Sequence, residues 1–166
     1  RPARDHETQL AQLLWLLSDE AGLSRAHRRE FSGDAVPTPE GLDALVAAMS
    51  KRRPQVRQYH GVLRALVLLG SPDSRLADLG SAFLEDIEVE ETAAERLHWG
   101  LPAHGFPAVE TVRAISAFMA ETAATVFAVD QIDTLLAQSA ATLAAPDTAE
   151  SEVIEQVGHG LMSLRQ

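Results

Sequence analysis

The 166-residue sequence contains no cysteine, and this excludes disulfides, thiolate metal ligands and a cysteine nucleophile. It has a single lysine, Lys51, preceded by Ser50 and with no glycine in the eight residues before it. That excludes a Gly-x-x-x-x-Gly-Lys-Ser/Thr loop, in which backbone N–H groups cradle phosphates and the lysine reaches the β and γ oxygens. Aromatic residues make up only 5% of the chain. No apolar run approaches the roughly 18 residues that span a bilayer. No Gly-x-Ser-x-Gly elbow is present for a serine hydrolase. The polar start, Arg1-Pro2-Ala3-Arg4-Asp5, lacks the pattern of a signal peptide, so the expected location is cytoplasmic.

What remains is a sequence rich in Ala and Leu, 46% apolar overall, which points to helices around one core. Charge is unevenly placed. Residues 1–64 hold ten Lys/Arg and eight Asp/Glu, whereas residues 65–166 hold four and sixteen. The acidic second part repels nucleic acid phosphates. The basic runs Arg25-Ala26-His27-Arg28-Arg29 and Lys51-Arg52-Arg53 read as solvated helix faces or as contacts for an acidic partner.

Apolar periodicity predicts a helix over about 7–21, carrying Leu10, Leu13, Leu14 and Leu17 with Trp15 and Leu16 beside them, and stopped by Gly22. A short basic helix over 24–31 follows, capped by Ser24. Thr38-Pro39-Glu40 opens a third helix that buries Leu42, Leu45, Val46 and Met49. Further helices are expected over 54–69, burying Val62, Leu63, Leu66, Val67 and Leu69, and over 74–87, burying Leu76, Leu79, Phe83 and Leu84. An acidic stretch, Glu85 to Glu91, leads into a short helix at 93–99 and a turn-rich loop at 100–106. From Pro107 to about Thr122, Val109, Val112, Ile115, Phe118 and Met119 fall on one helical face. Helices over 131–143 and 149–164 complete the chain. The expected fold is therefore mainly α, a single-domain bundle of seven to eight helices with at most one short strand near 125–129.

That strand carries the one chemically pointed motif. In Thr125-Val126-Phe127-Ala128-Val129-Asp130-Gln131-Ile132-Asp133, a run without a polar face ends in an acid, and a second acid follows three positions later. A strand buried on both faces of a parallel sheet reads this way. An acid at its carboxyl end is the usual partner of a hydrated Mg²⁺, which prefers hard oxygen ligands. The structural alternative is that Asp130 caps a helix starting at Gln131.

The run from Phe127 to Gln138 resembles the Walker B segment of large bacterial P-loop ATPases of actinobacterial type, relatives of the STAND and AAA+ groups. Val62–Leu68, Phe83–Glu91 and Gly160–Arg165 are similar to neighbouring parts of that family, so the likeness touches residues from about 62 to 165. The resemblance implies that Asp130 is the Mg²⁺-associated acid. Gln131 stands where many of these ATPases have a catalytic Glu, and Asp133 matches their second acid. A Gln can orient water but cannot act as a general base. With no phosphate loop in the chain, the resemblance implies a helical and Walker B portion of a longer multidomain protein, which uses ATP and Mg²⁺ only as a whole. Its partner would be another protein or the remainder of the same polypeptide, self-association being compatible with this; neither nucleic acid nor a membrane is expected.

Two other function classes are carried alongside. One is a freestanding helical interaction or oligomerisation domain without nucleotide chemistry. The other is a helical ligand-binding domain, which requires a closed apolar cavity. The histidines give no metal pattern: His98 and His104 are separated by a loop, and His159 with Glu155 reads as a surface pair.

Overall fold

The computed structural model describes residues 8–87 and 93–122. The chain divides into two compact units, residues 1–124 and 125–166, and the described residues all lie in the first. They form seven α-helices and one 3-10 turn: α1 (Gln9–Glu20), α2 (Arg25–Phe31), α3 (Pro39–Arg52), η1 (Pro54–Arg57), α4 (His60–Leu69), α5 (Ser74–Leu84), α6 (Ala93–His98) and α7 (Ala108–Thr122). The fold is a helical bundle, as the periodicity predicts, with no strand among the described residues. The expected strand at 125–129 and the helices at 131–143 and 149–164 lie outside the described residues.

The helix starts follow their local chemistry. Thr8 Oγ1 accepts the Ala11 N–H at 3.1 Å, Ser24 Oγ the His27 N–H at 3.3 Å, and Thr38 Oγ1 the Gly41 N–H at 3.1 Å. Each satisfies one of the donors a helix leaves open at its first turn. Thr38 is itself held from α2, because Glu30 Oε2 accepts both its N–H at 3.2 Å and its hydroxyl at 3.1 Å.

Helix ends are equally local. Beyond α1 and α6 the chain steps into the left-handed region at Gly22 and Gly100, and the N–H groups of Leu23 and Leu101 return to the carbonyls of Ser18 and Arg96. These are the 6→1 bonds that close a helix and satisfy its last carbonyls. α5 closes in the same way, with Asp86 at φ 54 in the glycine position and Ile87 N–H on Ala82 O at 2.9 Å. Its end at Leu84 is earlier than the expected 87.

Helix α4 is the centre of the unit. Gly61 through Leu68 are all buried, and α3, α5 and α7 pack around it. A helix apolar on all sides belongs in a core. Leu14 and Leu17 of α1, Leu42, Leu45 and Met49 of α3, Leu76, Leu79 and Phe83 of α5, and Phe118 of α7 complete that core. Helix α5 reaches α4 with backbone proximity: a Cβ on Gly80 would lie 2.6 Å from Ala65 O and 2.6 Å from Leu69 N.

Three expectations need correction. The predicted helix over 54–69 is two elements. Pro54–Arg57 is a 3-10 turn, and Tyr59, at φ −106 and ψ 18, separates it from α4. The tighter turn aligns residues three apart, so Val56 and Tyr59 both enter the core, and the Tyr59 hydroxyl donates to Glu110 of α7 at 3.3 Å. Leu69, placed inside by the periodicity, ends α4 on the surface. On α7 the buried face is Thr111, Ala114 and Phe118, whereas Val109 and Val112 are exposed. Small residues let α7 lie close on α1 and α4, and Thr111 Oγ1 uses the Phe106 carbonyl at 3.3 Å.

Candidate functional site

The three residues singled out for nucleotide chemistry, Asp130, Gln131 and Asp133, lie outside the described residues. What the structure places is the element that leads to them. Helix α7 is described as far as Thr122, upstream of these residues in the sequence.

Helix α7 borders a cleft of about 270 Å³ lined by Glu20, Met49, Arg52, Arg53 and Glu121. Three parts of the chain converge here: the last residue of α1, the last turn of α3 with its cap, and Glu121 of α7. Arg52 Nη1 donates to Glu20 Oε1 at 2.8 Å, and Arg53 Nε to Glu121 Oε2 at 2.6 Å. Met49 forms an apolar floor and is buried. Basic side chains suit the carboxyl ends of helices, where the exposed carbonyls carry partial negative charge. Both pairs are open to solvent on the arginine side, so each contributes little stability. Four charged side chains on an open rim are not the closed apolar cavity that a helical ligand-binding domain requires.

Two further arginines are nearly sequestered from solvent. Arg64 of α4 donates to Asp43 of α3 at 2.5 Å and to the carbonyl of Trp99 at 3.2 Å. Gly100 lies against that guanidinium, where a Cβ would be 2.9 Å from Arg64 Cζ. One turn earlier on α4, His60 has its pKa lowered, first by burial and then by the positive charge of Arg64. Arg96 of α6 donates to Ile87 O at 2.6 Å and Ala103 O at 3.1 Å, with its guanidinium 5.7 Å from the Phe83 ring centre. It therefore ties the loop after α5 to the loop after α6. The Nε atoms of both arginines are buried and have no hydrogen-bond partner among the described residues. Neither role is stated by the sequence pattern alone. The available signal for Arg64 is a lone cation inside the apolar run Val62 to Leu68.

Among the described residues no group of three or more His, Asp and Glu side chains could hold a metal ion. His98 packs edge-on against Trp99, with ring centres 5.5 Å apart. His159 and Glu155 lie outside the described residues. No helix among the described residues is long and apolar enough to cross a membrane.

Comparison with protein families, curated proteins and solved structures found no match for this chain.

Proposed function

We propose that the chain is the helical and Walker B-like portion of a multidomain ATP-binding protein and does not hydrolyse ATP by itself. The observation that carries this reading is the apolar run Val126–Val129 closing on Asp130, with a second acid at Asp133. Helix α7 lies upstream of this run in the sequence, as in the order helix, strand, acid of parallel α/β crossovers. In this reading Asp130 associates with Mg²⁺, which would supply charge neutralisation at the phosphates. Gln131 orients water without removing its proton, and Asp133 is the second acid. The phosphate cradle comes from elsewhere in the longer protein, because no glycine-rich loop with a following lysine exists among these 166 residues.

The test uses a longer protein, encoded in the same reading frame, that includes a Gly-x-x-x-x-Gly-Lys-Ser/Thr loop. There Asp130→Ala should abolish Mg²⁺-dependent ATP turnover while leaving the thermal midpoint of the protein in place. Turnover equal to that of the unsubstituted protein would make Asp130 a helix cap and nothing more.

A second reading, a helical interaction domain without nucleotide chemistry, draws support from the apolar side chains left in water. Leu97 of α6 is 77% exposed, and Val109 and Val112, three apart on α7, are about 40% exposed. Val109 and Val112 share a helix face, and contiguous apolar surface often marks contacts with other proteins.

A further inference from the structure

The larger helices of the described residues pack along one another: α1 with α2 and α7, and α4 with α3, α5 and α7. Helix α6 is not among these pairs. The backbone bonds at its end are internal, because the N–H groups of Trp99, Gly100 and Leu101 return to the carbonyls of Glu95, Leu97 and Arg96. Among the described residues no backbone bond joins 93–106 to another element.

Side chains do the holding. Trp99 and Leu101 are buried in the core, and Phe106 stands edge-on to Phe83 of α5, with ring centres 6.2 Å apart. Pro102 lies against the first turn of α4, where a Cβ on Gly61 would come within 2.8 Å of its Cδ. Two guanidiniums fasten the segment further: Arg64 of α4 on the Trp99 carbonyl, and Arg96 of α6 on the Ile87 carbonyl. Both fastenings are incompletely satisfied. Three buried side-chain polar atoms have no partner among the described residues, and two of them are the Nε atoms of these arginines. A donor of a charged group held out of water without a partner costs free energy in the closed state, and opening relieves that cost.

We propose that residues 93–106 are a strap that opens as one unit while the rest of the described bundle stays folded. Opening uncovers the Phe83 ring, the face of α4 at Gly61 and the Arg64 guanidinium, which keeps its bond to Asp43. Proteins open in contiguous units, and the units that open first are those with few attachments to the rest. A segment whose backbone bonds are its own, and whose attachments are a handful of side chains, meets that description. This inference does not depend on the nucleotide reading, because it uses no residue beyond Phe106.

The experiment uses the absence of cysteine, which lets a single introduced thiol be labelled alone. Leu101→Cys places the thiol under the strap, and Leu68→Cys places it in the buried centre of the bundle; both leucines are buried. Where closing outpaces labelling, the labelling rate reads the fraction open. Leu101→Cys should label about a hundredfold faster than Leu68→Cys. Leu14→Val weakens the bundle at the far end of α4, where Leu14 Cδ1 would lie 3.2 Å from a Cβ on Gly70. Added to each thiol variant, it should speed labelling of Leu68→Cys about fivefold and leave that of Leu101→Cys unchanged. In the unsubstituted chain, hydrogen exchange at Trp99, Gly100 and Leu101 should report one shared opening free energy, below that of Leu66 and Val67 in α4. Equal labelling rates, or equal acceleration of both by Leu14→Val, would overturn the proposal, because 93–106 would then open only with the whole bundle. Three unrelated exchange rates at 99–101 would also overturn it, in favour of fraying residue by residue.

Discussion

At the scale of single residues, two glycines show different constraints, and they separate space from conformation. Gly80 is buried in α5 with backbone atoms of α4 where its Cβ would go, 2.6 Å from Ala65 O and Leu69 N. Backbone cannot turn aside as a long side chain can, so the two central helices must separate to admit a methyl group. Gly80→Ala should destabilise the protein by about 2–3 kcal/mol, in the range of overpacked cores. Gly22 has nothing within 4 Å of an added Cβ but sits at φ +70. Gly22→Ala should therefore cost only the left-handed penalty of about 1 kcal/mol. Urea unfolding of both variants checks the ordering; equal losses would mean that α4 and α5 do not approach as closely as Gly80 indicates.

Among the elements, sequence patterning locates helices better than it locates their faces. Ser24 and Thr38 mark starts because a cap bond spans only three residues. The division between η1 and α4 is not written locally, because Val56 and Tyr59 turn inward to meet a core built by distant helices. α7 is misread for a related reason. The valines are the more apolar residues, but Thr111 and Ala114 are small enough for close packing, and tertiary geometry selects them. The cleft was visible only as a basic run, since its carboxylates arrive from 32 and 68 residues away. Asp130, Gln131 and Asp133, the most specific signal in the sequence, lie outside the described residues.

Arg96 gives the prediction that belongs to this scale. Its forked donors reach Ile87 O and Ala103 O at once, joining two loops that otherwise share no regular structure. A lysine ammonium is a single point of charge and cannot bridge both carbonyls in that geometry. Arg96→Lys should cost about 2 kcal/mol and Arg96→Ala about 3 kcal/mol or more, because truncation removes both bonds and also leaves a void where the buried side chain packs on Phe83. Hydrogen exchange provides the discriminating readout. In Arg96→Lys the amides around 86–87 and 101–106 should lose protection before those of α4; a uniform loss across the molecule would argue against a local clamp.

For the molecule as a whole, acid sensitivity should have an identifiable component at His60. Its folded pKa lies below the ordinary 6.5, because burial and the Arg64 guanidinium both oppose its charged form. The unfolded chain therefore takes up this proton first as pH falls. The stability tied to neutral His60 is fully present above about pH 6.5 and is lost progressively as pH falls from there through the depressed folded value. His60→Gln keeps a polar side chain at the start of α4 and removes the titration. Unfolding free energy measured from pH 7.5 to 5.5 should fall for the parent chain and fall less steeply for His60→Gln, the two curves converging in shape above pH 7. Parallel curves across the whole range would show that His60 is as readily protonated in the folded protein as in the unfolded one, and that the burial of α4 does not reach its first residue.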